Sequence, residues 1–538
     1  LRKGRIPGTA AGPSRRIIGI TIISFLAMMF TPTKWTHHFG VFAGLAGWLG
    51  ALAAVAVTAA AMKSRRNRAM FTAAVLFVMA LSFASVNGWW YVSNFGVPWS
   101  NQFPEWHFGF PTMLLGLAVI ALLVAAWFHF YGHDRSPPDG SERRLTRILQ
   151  SPLAIATWLL VVFEVLSLTL GMTDLWPAWS NGRANMGALV GKRCGLADYV
   201  MVEQDPNAGV LTPAGAPPGG ALAGPTTEGF GPNGIPTNLS ADEVLGGGPG
   251  TSSNFADSSQ SDQEATDQSG TEGGIIAGAG INGSRARLPF NLDPARTPVM
   301  GSWRSSTQQP AVLRSAWYRL PADWRERDRS SSIIVVSAAG RFDGGDVVMQ
   351  WAGDDGEPKG GVGFADVGAP PAWRNLRAPL AAIPADATQV RLVATDDDLA
   401  PQHWIAVTPP RIPHLRTLQE VVGSQDPVLL DWLVGMAFPC QRPYAHQNGV
   451  IEVPKWRILP DRFGAEANSP VMDYLGGGPL GITELLLRAT TVPTYLKYDW
   501  SRDWGALQQL TPYYPGADVA RLDLGSATRS GLWSPAPL

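Results

Sequence analysis

The sequence predicts an α-helical membrane-spanning segment followed by an extracytoplasmic β-rich domain, of antiparallel sandwich or jelly-roll type, with some helices. Three observations carry that reading. Long apolar runs crowd the first 172 residues, the loops between them alternate between basic and aromatic, and short β-type runs recur at fairly regular spacing after Arg285. An apolar content of 46% and a mean hydropathy of +0.03 therefore average two unlike halves. Net charge −1 and a pI near 6.8 leave no basic footprint for nucleic acid, which is not an expected partner.

Five runs are long enough for a bilayer core of about 30 Å, which needs roughly 20 residues. They are residues 17–30, 39–62, 69–89, 112–130 and 152–172, the first being short enough to borrow Arg16 and the following turn as interfacial ends. Basic residues precede the first run (Arg2, Lys3, Arg5, Arg15, Arg16). They also follow the second (Lys63, Arg65, Arg66, Arg68) and the fourth (Arg135, Arg143, Arg144, Arg147). By the positive-inside rule these ends are cytoplasmic, as is the N-terminus. The alternate loops, 31–38 and 90–111, hold one lysine between them and many aromatics, so they face outward. An odd number of spans then exports everything after Met172. The opening LRKGRIPGTA has neither an initiator methionine nor the order of a signal peptide, and reads as the interior of a larger protein.

Two places in this segment hold possible chemistry. The turn TPTKWTHHFG brings Lys34, Trp35, His37 and His38 to the outer surface, combining a cation, a stacking ring and two proton carriers. Helix-end anchoring accounts for such residues equally well. Glu164 lies in mid-span within TWLLVVFEVLSLTL, where an ionised carboxylate is costly; it should face protein or water, most simply in an interhelical hydrogen bond.

Residues 173–206 read as a connection, and 207–284, rich in Gly, Pro, Ala, Ser and Asp, as a flexible insert that buries little apolar surface. From 285 to 538 the exported domain proper begins. SAWYRL, SSIIVVSA, GDVVMQWAG, TQVRLVATDD and QHWIAVTPP are strands, punctuated by Gly, Pro and Asp. LRTLQEVVG, DPVLLDWLVGMAF, GPLGITELLLRA and RDWGALQQL have helical spacing. Tryptophans such as Trp303, Trp317, Trp351, Trp404 and Trp432 recur, and indole faces suit the C–H faces of sugars, although core packing explains most tryptophans. Asp396, Asp397 and Asp398 follow a strand and offer oxygen ligands to a structural Ca²⁺, or form a solvated acidic turn. Cys194 and Cys440 are the only cysteines and both fall in the exported part, where they are either bonded to each other or two buried thiols. Two distant cysteines make no zinc site.

At TPTKWTHHFG, NGWWYVSNFGVPWSN, LDPARTPVMGSW and DWLVGMAFPCQRPYAHQNGVIEVPKWRILPD the chain resembles the mycobacterial Emb arabinofuranosyltransferases, the family targeted by ethambutol, over nearly its whole length. The motif LDPARTPVMGSW and the ending GLWSPAPL lean towards the EmbA branch, with EmbB and EmbC open. The resemblance implies the C-terminal half of a multi-pass plasma-membrane enzyme of the GT-C class. Such an enzyme takes arabinofuranose from decaprenylphosphoryl-arabinose, without a nucleotide cofactor, and adds it to the arabinan of arabinogalactan or lipoarabinomannan. It implies a donor and inhibitor pocket at His37 or His38, with Lys34 and Trp35 beside it and Trp432 closing it. In the jelly-roll carbohydrate-binding domain, Trp317 and Asp398 match the sugar region, the Asp396 to Asp398 turn the calcium region, and Cys194 and Cys440 the disulfide. The family's catalytic aspartate belongs to a loop near the N-terminus of the full protein. No catalytic residue is therefore expected in this chain, whose outer loops within the membrane segment hold only Glu105 as a carboxylate. Expected partners are membrane lipid, the N-terminal half of the same protein, a second Emb subunit and an acyl carrier protein on the cytoplasmic side. The rival expectation is a membrane-anchored carbohydrate-binding or scaffold subunit.

Overall fold

In a computed structural model, the described residues are 9–30, 40, 42–61, 64–84, 91, 95–99, 102–132, 152–239, 275–368, 370–401, 403–431, 434–447, 450–461, 487–516, 523 and 525. The chain divides into two compact units, one formed by 1–89 with 97–171, the other by 90–96 with 172–538. The second unit begins at Met172, with one addition. Residues 90–96, from the loop expected to face outward, belong to the second unit.

Five helices occupy the places of the five expected spans: α1 (Ala11–Ala27), α2 (Ala43–Ala61), α3 (Arg65–Phe83), α4 (Phe110–Phe130) and α5 (Pro152–Thr173). Among the described residues, three stretches are long and apolar enough to cross a membrane: 11–30, 110–130 and 152–173. Helix α3 opens on RRNR, so part of its length is polar. Three arginines in a first turn oppose the helix dipole, so helix stability alone does not account for them. Ser64 caps α3 by accepting a hydrogen bond from the Asn67 amide at 3.1 Å. Helices α3 and α4 pack together, and buried alanines seven residues apart occur on each, Ala73 with Ala80 and Ala118 with Ala125. Small residues at two-turn spacing permit close backbone approach where lipid provides no hydrophobic drive to association. Glu164 lies exposed on α5 among the described residues.

The second unit is built on a sandwich. Its strands are β1 (Thr212–Ala214), β2 (Thr226–Glu228), β3 (Met300–Gly301), β4 (Ala311–Arg314), β5 (Trp317–Arg319), β6 (Ile333–Arg341), β7 (Val347–Ala352), β8 (Pro358–Gly363), β9 (Arg374–Pro379), β10 (Gln389–Asp396) and β11 (Trp404–Val407). One sheet runs β8-β7-β10-β4-β2, with β5 beside β10 and β1 beside β5; the other runs β9-β6-β11-β3. Leu313, Met349, Val390 and Leu392 from the first meet Ile334, Val336, Leu376 and Ile405 from the second in one core. All five runs predicted as strands are strands. The flexible insert is corrected in part: residues 207–239 supply β1 and β2 and bury Leu211, Leu222 and Phe230 in that same core, because scattered apolar residues suffice when a sheet edge is there to receive them. Residues 240–274 lie outside the described residues.

A second layer flanks the sandwich. Val200–Glu203 pairs with Leu415–Thr417 and Thr494–Leu496, and a five-stranded sheet is ordered 442–443, 427–430, 456–459, 506–512, 487–492. Here the helical expectations mostly fail. LRTLQEVVG does contain a short helix, Leu418–Val422, with a capping box between Thr417 and Glu420. DPVLLDWLVGMAF instead yields strand Pro427–Leu430, RDWGALQQL yields strand Ala506–Pro512, and the described end of GPLGITELLLRA begins strand Leu487–Val492. Apolar runs of four to seven residues fit either period, and pairing partners decided them.

Candidate functional site

Alternation on the larger sheet exposes one face. On β10, Val390, Leu392, Ala394 and Asp396 are buried while Gln389, Arg391, Val393 and Thr395 are half-exposed. Register sets Gln350 opposite Arg391, and Tyr318, next to Trp317, opposite Val390. Arg391 consequently donates from Nε to Gln350 Oε1 at 2.9 Å and stacks 4.6 Å from the centroid of the Trp317 ring. Gln389 donates to the Gly353 carbonyl at 2.7 Å. The loop that follows β7 borders the indole. Gly356 has φ +70°, and a Cβ there would stand 3.9 Å from Trp317 Nε1 and 3.7 Å from Gln389 Nε2. Partial burial, and then neighbouring Arg314, push the Arg391 guanidinium below its ordinary value, while Glu357 offsets them. An indole with a guanidinium over one face, and two amides on the same side of the sheet, sets donors and acceptors beside an apolar ring, a combination suited to holding a sugar.

Asp398, expected at the same sugar region, lies elsewhere. The acidic turn follows the far end of β10, and five residues of strand separate Arg391 from Asp396, roughly 17 Å at the usual rise. Asp396 is 5% exposed and accepts a hydrogen bond from Ser302 Oγ at 2.6 Å; burial pushes its carboxyl above the usual range, with Ser302 opposing. Asp398 contacts His403 Nδ1 at 3.0 Å and accepts from the Ala400 amide at 2.8 Å. Among the described residues no group of three or more His, Cys, Asp or Glu is placed to hold a metal.

Cys194 and Cys440 are bonded, with Cα atoms 4.8 Å apart across 246 positions of sequence. Lys34, Trp35, His37, His38 and Trp432 lie outside the described residues. The residue before Trp432 is firmly seated: Asp431, 2% exposed, accepts from Arg457 Nε at 3.0 Å and from a terminal guanidinium nitrogen at 3.2 Å.

The family resemblance singled out Trp317 and did not reach Gln350, Gln389 and Arg391, which the structure sets on the same side of the sheet. The signal was available, since QVRLVATD places Gln389 and Arg391 on one face, but which tryptophan adjoined that face required strand order. Reasoning from sequence also missed a buried polar knot. Arg411, fully buried, donates to both oxygens of Glu203 (2.7 and 3.0 Å), to Ser337 Oγ (2.8 Å) and to Asn375 Oδ1 (2.9 Å), and Tyr495 donates to Glu203 at 2.7 Å. Burial disfavours the Arg411 charge, but Glu203 and Tyr495 more than offset it.

Comparison with known proteins agrees over both units. Residues 165–538 match the family described as EmbC C-terminal domain, and residues 1–131 the family described as mycobacterial cell wall arabinan synthesis protein. A protein of Mycolicibacterium smegmatis described as probable arabinosyltransferase C is 74% identical over 542 residues, covering 100% of this chain and 50% of the relative. One described as probable arabinosyltransferase B from the same organism is 43% identical, again over 100% of this chain and 49% of the relative. The cryo-EM structure of arabinosyltransferase EmbB from Mycobacterium smegmatis superposes with TM-score 0.82 at 43% identity, covering 100% of this chain and 52% of that one. The chain spans about half the length of the curated relatives it matches. The lean towards EmbA finds no support in these relatives, which are of the C and B kinds, with identity much higher to C.

Proposed function

The chain belongs to the Emb arabinosyltransferase family, and we propose on that premise that it forms the C-terminal half of a membrane glycosyltransferase moving arabinofuranose from decaprenylphosphoryl-arabinose to cell-wall arabinan. The observation that carries this is the 74% identity extending over the entire chain, so that the membrane and β-rich parts are matched together. Phe95 packs against Trp179 and accepts from the Asn181 amide at 3.0 Å, which supports an outward-facing β domain, because α4 and α5, as a pair of spans, return the chain to the side from which it left. Outside the plasma membrane there is no pool of nucleotide sugars, which calls for a lipid phosphate donor. In this reading Lys34 with His37 or His38 holds the departing phosphate, Trp35 lies beside it and Trp432 closes the pocket. The acceptor hydroxyl needs a carboxylate base, which the family resemblance assigns to a loop outside these 538 residues. Arabinan rests on the Trp317, Gln350, Gln389 and Arg391 face. A second Emb subunit and a cytoplasmic acyl carrier protein are proposed partners from resemblance alone.

The test is transferase turnover by the full-length protein with His37→Ala and His38→Ala. One of them should lose about 100-fold, as removal of a phosphate-binding donor does, or show a raised KM for the donor. Unchanged turnover and donor affinity in both would sink the pocket assignment. The sandwich face supports a second reading, a carbohydrate-binding subunit whose partner performs the transfer. That reading predicts that Trp317→Ala abolishes arabinan binding while the full-length protein on its own shows no turnover.

A further inference from the structure

We infer that residues 176–193 form an interfacial anchor, lying in the headgroup layer of the bilayer with Trp176, Met186, Leu189 and Val190 against its acyl boundary. These four side chains are apolar and 70%, 52%, 79% and 77% exposed, in a domain whose other large apolar residues are mostly buried. They are not scattered. Helix α6 (Asn181–Leu189) is capped by Ser180, and Met186, Leu189 and Val190 recur on it at the three- and four-residue spacing of one face, while Ala184 and Gly187 are half-buried. Trp176 is held by Arg183, whose guanidinium stacks 4.2 Å from the ring and donates to the Pro177 carbonyl at 2.9 Å.

Chain length says what covers this face. Helix α5 is long and apolar enough to cross a membrane and ends at Thr173, and the Trp176 amide still bonds the Thr173 carbonyl at 3.1 Å. That bond folds the three residues into a turn whose Cα ends lie under about 7 Å apart, within the headgroup layer of roughly 5–7 Å on each side of the hydrocarbon core, which keeps Trp176 in the interface. Tryptophan at that depth with exposed Lys192 and Arg193 beyond it is the ordinary composition of a membrane boundary. The Cys194–Cys440 bond and the Leu196 amide to Ala437 carbonyl bond of 2.8 Å fasten a further exposed apolar residue, Met436 at 73%, to the segment following α6. The fitting partner is a lipid surface. This rests on the membrane reading above.

The experiment places photoreactive benzoylphenylalanine singly at Leu189, at Leu123 in mid-α4 and at Leu399 on the sandwich, in the full-length protein in vesicles of phosphatidylglycerol and phosphatidylcholine. Leu189 and Leu399 are 79% and 52% exposed, so the probe is accommodated at both. Lipid adducts at position 189 should exceed those at 399 by at least about tenfold, as expected for sites within and beyond the interface. Lipid adducts at 123 with protein adducts or none at 189 would overturn the anchor and leave the membrane reading intact. Absence at both 123 and 189 would overturn the two together.

Discussion

The two sheets of the sandwich are made of similar residues and end in opposite circumstances. In the smaller sheet β11 is buried throughout, and β6 and β9 are buried at every position but the last, because Met201 and Tyr495 of the second layer cover Ile333 and Val335 while Ile235, Leu288 and Val299 cover Ala339, Trp404 and Ala406. The larger sheet keeps strict alternation on β10 and leaves one face half-open. Polar groups follow that division. On the covered face they must be satisfied inside the protein, hence Arg411 with Glu203, Ser337, Asn375 and Tyr495. On the open face Arg391 stacks on Trp317 with room for a ligand at the rim. A buried arginine is therefore read as structure here, and a half-buried one as recognition.

That contrast breaks most sharply at Arg411. Arg411→Ala leaves Glu203 buried without its cation and should cost about 3–5 kcal/mol, read as a large fall in the thermal midpoint of the near-ultraviolet circular dichroism signal. A loss below about 1 kcal/mol, the usual limit for exposed pairs, would mean that water reaches the knot and that the covered face is not covered. Next in size, Cys194→Ser with Cys440→Ser should cost about 2–4 kcal/mol and leave the sandwich intact, visible as earlier unfolding in denaturant. On the open face the expected effect is in binding. Trp317→Ala should weaken arabinan binding about tenfold, or 1.4 kcal/mol, and Arg391→Ala somewhat less, with the thermal midpoint unmoved. Unfolding of Trp317→Ala would show that the indole belongs to the core.

Alternation made the sandwich legible from sequence. SSIIVVSA and TQVRLVATDD announce strands whatever they pair with, whereas Trp317 was one tryptophan among many until the family resemblance picked it out. Residues 426–438 and 502–510 were misread as helices because their apolar spacing fits both periods, and the parallel pairing of 427–430 with 456–459 is a contact no local pattern encodes. The Arg391–Trp317 stack has the same origin. Seventy-four positions separate the two residues, and only strand order makes them neighbours. For the acidic turn, three consecutive aspartates read equally as a ligand set or a solvated turn; strand geometry sends Asp396 inward to Ser302 and Asp398 to His403.

The smallest expected effect separates two arginine–carboxylate pairs of the same chemistry. Arg442 grips Glu452 with two bonds of 2.7 Å, as Arg411 grips Glu203, but both partners are more than a third exposed. The Arg442 hydrogen bonds, and then the Ala445 amide, lower the Glu452 carboxyl from 4.5 to about 2. A depressed carboxylate stabilises the fold above its unfolded value, and that contribution disappears as pH falls from about 4.5 towards about 2. Because solvent and salt screen the pair, the contribution should be small, so Glu452→Gln should draw level with the parent protein as pH falls to about 2 and lie only slightly below it at pH 6 in low salt. A deficit at pH 6 as large as that of Arg411→Ala would show that bidentate geometry, and not burial, sets what an arginine is worth in this domain.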